Sequence, residues 1–282
     1  MTQQVRDLVG RFGIWRSGGM LTQGLAQLIE ELGFGTLWVG GSPAGDLQLV
    51  EELLAATSRL TLGTSIVNIW QAEVHQVAAA FARIQDRYPD RFVLGVGAGH
   101  REATQEYARP YDTLAAYVKN LLDDGVPRDR LVLAALGPRV LRLSAERTAG
   151  AIPYLVTPQY TARARELLGP GPLLAPEHKV ILDADTGRAR RLGRARVSRP
   201  YLGLVNYTSN LRRLGWSDTD LADGGSDALI DALVAWGSGA QVAARLDEHL
   251  AAGADHVCAQ VLTEADGDPS EGYRQLAAAL GL

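Results

Sequence analysis

Leu60-Thr-Leu-Gly-Thr-Ser-Ile-Val67 and, one helix later, Phe92-Val-Leu-Gly-Val96 are short runs with hardly a polar residue on either face. A strand that is apolar on both faces is buried on both faces, as in a parallel sheet covered by helices. The stretch between them carries Val74, Val77, Phe81 and Ile84 at helical spacing and ends near Tyr88-Pro89.

The same alternation extends in both directions. Upstream stand Arg11-Phe-Gly-Ile-Trp15 and Thr36-Leu-Trp-Val39, the latter ended by Gly40-Gly41. Leu25, Leu28, Ile29 and Leu32 form the helix between them, with Thr22 as N-cap and Gly33 as stop. Leu47, Val50 and Leu54 form the next helix. Downstream, a helix bearing Leu114, Tyr117, Val118 and Leu121 precedes a fifth strand, Leu131 to Leu136, and a helix from Pro138 to about Thr148. Ala151 to Val156 reads as the sixth strand, followed by a helix from Pro158. Lys179 to Asp183 reads as the seventh, followed by an arginine-rich helix around Arg188 to Arg196. The eighth is His256 to Leu262, after a helix with Val242, Leu246 and Leu250. Eight such units fit a closed (β/α)8 TIM barrel better than an open doubly wound sheet. Pro200 to Trp236 shows helical patterning but no strand, so residues from about 200 to 237 are expected to form a helical insertion before the last helix of one domain, 1–282.

The 282 residues suit a barrel of about 250 residues plus an insertion, though two ordinary domains would also fit. A net charge of −4 argues against a general nucleic-acid binder, and the single cysteine, Cys258, excludes a disulfide framework. No apolar run approaches the roughly 20 residues of a membrane span, and Met1 to Arg11 lack a signal-peptide core, so a cytoplasmic enzyme is expected. HExxH, GxxxxGK[ST] and GxSxG motifs are absent.

Function in such a barrel belongs to the loops after the strands. Gly95-Val-Gly-Ala-Gly99 has the wrong spacing for a dinucleotide fingerprint and reads either as close backbone approach to a ligand or as strand-end packing. Gly137-Pro138-Arg139 opens a helix whose free N–H groups, with an arginine beside them, attract phosphate; a plain helix start is the alternative. His100 directly follows the fourth strand and can exchange a proton near neutral pH, with Glu102 as a nearby substitute. Trp15 and Trp70 at strand ends read either as walls for a flat ring or apolar substrate, or as core. His75, His249 and His256 read as structural, and Arg188 to Arg199 as a solvated face rather than a partner for an acidic tail.

Leu60 to Val67, His75 and Asp90 to His100 resemble the third and fourth units of the bacterial-luciferase-like superfamily. Within it, Gly137-Pro-Arg139 with Ala145-Glu-Arg147, Ala151 to Pro158, Asn206 to Gly215 and Gly253 to Val257 resemble the coenzyme F420-dependent oxidoreductase branch. The resemblance implies a deazaflavin at the barrel mouth and hydride transfer to or from its C5. It also implies a non-proline cis peptide near Ser65-Ile66 backing the ring. The cofactor contacts it implies are Trp15, Gly41, Ser42, Ser65, Ile66, Val67, Gly97, Ala98, Gly99, Gly137, Pro138 and Arg139. Asn68, Trp70 and Thr157 would face the substrate, and His100 or Glu102 would handle the proton. Relatives often carry a carboxylate where His100 stands. Small-molecule turnover with F420 is the expectation, a homodimer the assembly that relatives suggest. A reduced-FMN monooxygenase and a non-catalytic flavin- or ligand-binding barrel are the alternatives.

Overall fold

The computed structural model describes residues 2–100 and 109–282. A first helix, α1 (Thr2–Val9), precedes the barrel. The first half then runs β1 (Phe12–Ser17), α2 (Gln23–Glu31), β2 (Thr36–Gly40), α3 (Gln48–Ala55), β3 (Thr61–Ser65), β4 (Val67–Asn68), α4 (Val74–Arg87), β5 (Phe92–Gly97) and α5 (Pro110–Asp123). The second half runs β6 (Leu131–Leu133), α6 (Pro138–Arg147), β7 (Gly150–Ala151), α7 (Pro158–Leu168), β8 (Leu173–Leu174), β9 (Glu177–Ile181) and α8 (Thr186–Ser198). After it come α9 (Val205–Arg213), α10 (Asp218–Leu221), α11 (Asp227–Leu233), β10 (Val234–Trp236), α12 (Gly239–Ala251), β11 (Val257–Val261) and α13 (Ser270–Leu280). Local signals explain several boundaries. Thr22 caps α2 by accepting from the Leu25 N–H at 3.2 Å, and Gly33, at φ +87°, lets the chain turn off that helix.

All strand pairings are parallel, and neighbours run β11-β1-β2-β3-β5-β6-β7-β8. Hydrogen bonds carry the ladder across the gap between β8 and β9. Leu173, Ala175 and Glu177 N–H groups donate to Ala149, Ala151 and Pro153 on one side, while Leu174, Pro176 and Val180 carbonyls accept from Asp255, Cys258 and Leu262 on the other. Residues 173–181 thus form one staggered staple between β7 and β11, and the sheet closes into a (β/α)8 barrel. The seventh strand therefore begins about six residues before the Lys179 expected from sequence. Pro172 and Pro176 hide its start, because proline donates nothing to a ladder.

Pro200 to Trp236, expected to be helical and strandless, contains one strand. It is mainly helical, but Val234–Trp236 is a short strand whose residues pair with Lys179, Val180 and Ile181. The Gly237 N–H donates to Ile181 on the edge of β9 that β7 leaves after Pro153. There the backbone turns at Leu155, φ +56°, and β10 takes over the exposed edge.

The interior of the barrel is packed by Trp38, Val93, Val132, Ile152, Leu173 and Cys258, and α1 closes its lower end with Val5 and Val9. Trp15 and Ile66 lie on this cluster, half-buried, and form the floor of the upper mouth. His256 belongs to the buried layer. It accepts from Trp38 Nε1 at 3.0 Å and bonds the Gly10 carbonyl at 2.9 Å, and burial pushes its pKa down to about 4.

Candidate functional site

Side chains alternate along β9. His178 points outward, where its Nδ1 lies 3.0 Å from His249 Nε2 on α12, and burial holds its pKa down at about 3. Glu177 and Lys179 point into the barrel and are 3% and 1% exposed. Buried charges persist only when paired and hydrogen-bonded. Glu177 Oε1 meets Lys179 Nζ at 3.1 Å, and Oε2 accepts from the Leu155 N–H at 2.9 Å, which pins the turn where β7 departs. Burial pushes the Glu177 carboxyl above its ordinary range and the Lys179 ammonium below its own, each opposed by the partner's charge. The ammonium also sits 3.9 Å from the centroid of the Tyr154 ring.

Tyr154 joins the barrel to the insertion. Its hydroxyl donates to Gln260 Oε1 at 2.8 Å and lies 2.8 Å from the Tyr201 hydroxyl. Trp15 packs on it with ring centroids 5.3 Å apart, Tyr201 at 5.3 Å and Tyr207 at 6.4 Å. Tyr207 in turn lies 5.4 Å from the His100 ring, and Asn206 Nδ2 is 3.4 Å from His100 Nδ1. An aromatic chain therefore crosses the mouth from β1 to the end of β5, roofed by α9 and the residues before it. Below this roof lies a cavity of about 260 Å³, walled by Trp15, Tyr154 and Tyr201. Arg16, Lys179, Arg196 and Arg199 bring positive charge to its lining.

The residues expected from sequence fall into distinct groups. The Ser65–Ile66 peptide is cis, where the resemblance places one. Trp15 lines the cavity, and His100 faces the insertion. Glu102 lies outside the described residues. Gly41 and Ser42 both adopt positive φ, and a Cβ on Gly41 would lie 2.7 Å from Ser17 Oγ. The glycines in and just after β5 make room for the protein's own atoms: a Cβ on Gly95 would lie 2.0 Å from Thr64 O, one on Gly97 2.9 Å from Ala134 Cβ, and one on Gly99 2.9 Å from Asn68 Nδ2. Asn68 Oδ1 accepts from the Trp70 N–H at 3.1 Å, and Trp70 Nε1 donates to Ala98 O at 2.7 Å, stitching the ends of β4 and β5 together beside Val67. The Thr157 hydroxyl accepts from Tyr160 N at 3.3 Å as the N-cap of α7. Gly137 faces open space and Pro138 opens α6 without a side-chain cap, while Arg139 lies over the Tyr111 ring at 3.9 Å.

The arginine run is mostly tied down. Arg188 pairs with Asp183 just before α8, while the pairs of Arg190 with Asp227 and Asp231, and of Arg194 with Asp227, bind α8 to α11. Its last members, Arg196 and Arg199, reach the cavity lining. Sequence reasoning read these two as part of a solvated face, and it missed Tyr154, Lys179, Tyr201 and Gln260. The available signal was charge at two alternate positions, Glu177 and Lys179, of an otherwise buried strand.

Residues 22–123 match the luciferase-like monooxygenase family. No curated protein sequence matches the chain. Among solved structures, it is similar to an F420-dependent secondary alcohol dehydrogenase, with 15% identity, TM-score 0.74, and 96% of this chain and 98% of that one covered. The coenzyme F420-dependent tetrahydromethanopterin reductase of Methanopyrus kandleri follows, with 14% identity, TM-score 0.69 and the same coverage. The FMN-bound oxygenating constituent of 3,6-diketocamphane monooxygenase from Pseudomonas putida is also similar, with 14% identity, TM-score 0.64, and 95% and 96% covered. The chain is thus luciferase-like in fold throughout and carries the luciferase-like family's sequence signature across its second, third and fourth β/α units.

Proposed function

We propose that the protein is a deazaflavin-dependent oxidoreductase, moving hydride between coenzyme F420 and a small organic substrate. The observation that carries this reading is the mouth itself, where aromatic walls and cationic side chains converge at the C-terminal end of a luciferase-like barrel. That donor set fits a flat, anionic heterocycle, because rings stack on the walls and guanidinium groups bind oxyanions. The uncapped start of α6, open at Gly137, adds N–H donors of the kind that hold phosphate. Two of the similar structures are named for F420, and the stretches between Gly137 and Val257 resemble the F420 branch.

Bound there, the deazaflavin supplies the hydride acceptor or donor. The chain supplies position and protons. Trp15 and Tyr154 form a tilted aromatic wall, and Gly40 leaves room for it, since a Cβ there would lie 1.9 Å from the Trp15 ring. Tyr201 and Tyr207 lie over the mouth and exclude water. His100, with the Asn206 amide 3.4 Å from its Nδ1, is the group that passes a proton to a reacting oxygen or takes one from it.

The match to luciferase-like monooxygenases and the likeness to an FMN enzyme favour reduced-FMN oxygenation as the second reading. Fluorescence-quenching titration of the apoprotein against F420 and FMN in parallel separates the two. Tight binding of F420 alone, weakened by Arg139→Ala, supports the proposal. Preference for FMN moves the assignment to the monooxygenase, and binding of neither removes its basis.

A further inference from the structure

Gln260 lines the cavity with half of its amide unused. It stands on β11 two residues beyond Cys258, which packs in the barrel interior, so its side chain points inward one layer higher, opposite Lys179 in register. The oxygen of a glutamine amide only accepts, and its nitrogen only donates. The oxygen is taken, because the Tyr154 hydroxyl donates to it at 2.8 Å. A phenol has one proton to give, so in the 2.8 Å contact between the two hydroxyls Tyr201 is the donor and Tyr154 the acceptor. Hydrogen bonds therefore run one way, from Tyr201 through Tyr154 to Gln260, and they set what each end can still do. Gln260 Nε2 keeps two N–H donors with no acceptor among the described residues, while Tyr201 Oη keeps lone pairs and has spent its proton.

The other polar groups of the lining have partners of their own or stand apart. Lys179 is paired with Glu177, Arg16 Nε donates to the Met20 carbonyl at 3.2 Å, and the Thr263 hydroxyl donates to the Gly267 carbonyl at 2.9 Å. Arg199 is exposed at the rim. We infer that the cavity selects a neutral substrate that gives a carbonyl oxygen to Gln260 Nε2 and an N–H or O–H to Tyr201 Oη, the pattern of a lactam, an amide or a hydroxyketone. The word substrate rests on the oxidoreductase reading above; the donor–acceptor pair does not. A carboxylate matches poorly, since one oxygen would accept from Gln260 while the other met the Tyr201 lone pairs. Trp15 and Tyr154 add a flat apolar wall beside the pair. Matching at two ends discriminates well, because an analogue without the N–H leaves a buried polar group unpaired. Tyr154 acts on recognition through Gln260: it is a positioning residue that keeps the amide oxygen turned away from the ligand.

The test is ligand-observed NMR titration of the apoprotein with three probes of similar size. 2-Pyridone carries C=O and N–H side by side, 1-methyl-2-pyridone lacks the N–H, and benzoate is a carboxylate. 2-Pyridone should bind, and each of the others should bind at least about tenfold more weakly, the range for one unmade hydrogen bond in a buried site. Gln260→Glu exchanges the two donors for acceptors at nearly equal size and should weaken 2-pyridone by about tenfold or more. Tyr154→Phe keeps the wall but frees the amide, so it should shrink the preference for 2-pyridone over its methylated form, a change that loss of packing alone would not produce. Equal affinity for the three probes, absence of 2-pyridone binding, or unchanged binding by Gln260→Glu overturns the inference. Displacement of 2-pyridone by saturating F420 gives the cavity to the cofactor and overturns the substrate assignment. If neither F420 nor FMN binds while the pyridone preference holds and is lost in Gln260→Glu, the donor–acceptor site stands and the oxidoreductase reading falls.

Discussion

Lys179→Met isolates the energetics of the buried pair beneath the cavity. Methionine replaces the lysine stem at nearly equal volume and removes the ammonium that stands 3.1 Å from Glu177. The carboxylate then keeps one described donor, the Leu155 N–H at 2.9 Å. Breaking a buried ion pair from one side costs about 3–5 kcal/mol. The loss must depend on pH, and its sign follows from Glu177. Its carboxyl is already raised by burial and rises further without the ammonium. A raised folded-state pKa gives full stability below the unfolded value, near 4.3 for glutamate, and loses it as pH climbs toward the folded value. Each pH unit in that window costs about 1.4 kcal/mol. Urea unfolding followed by circular dichroism, at pH 5 and pH 7, measures the difference. The deficit relative to the native chain should be smaller at pH 5 than at pH 7. In Glu177→Gln/Lys179→Met, which buries no charge, most of the loss should disappear. A single-variant deficit equal at both pH values, or below about 1 kcal/mol, would refute the reasoning.

Three further outcomes are specific. Thr157→Ala should destabilise by about 1 kcal/mol through the lost cap of α7; an unchanged KM would leave it that role alone, and a raised KM would place Thr157 at the substrate site. Gly40→Ala places a Cβ 1.9 Å from the Trp15 ring, so it should cost about 1–3 kcal/mol and shift tryptophan emission; unaltered emission would contradict the packing described. His100→Gln should lower kcat about 100-fold with F420 affinity unchanged, and turnover at the native rate would exclude His100 as the proton carrier.

How far the sequence could be read follows from what each element depends on. Strands such as Thr61–Ser65 and Phe92–Gly97 are buried on both faces and declare themselves as apolar runs. The seventh strand was legible only in its second half, because Pro172 and Pro176 interrupt the pattern while neighbouring backbones still complete the ladder. Val234–Trp236 exists because β7 leaves an edge open, a tertiary cause with no local signature. The cis bond at Ser65–Ile66 was expected from resemblance rather than from any residue preference. The glycines in and just after β5 carried two readings, and the space each frees is taken by Thr64, Ala134 or Asn68. The tyrosine cluster was illegible for a plainer reason. Tyr154, Tyr201 and Tyr207 come from a strand end and an insertion, and only the folded chain brings their rings within 6.4 Å of one another.

The most direct test of the central claim is a crystal structure of the protein grown with F420. The expected result is density for the ring at the barrel mouth, between the Ser65–Ile66 wall and the cavity of Trp15 and Tyr154, with phosphate at the start of α6. A mouth still filled by Tyr154, Tyr201 and Tyr207 at cofactor concentrations that saturate the protein would contradict it.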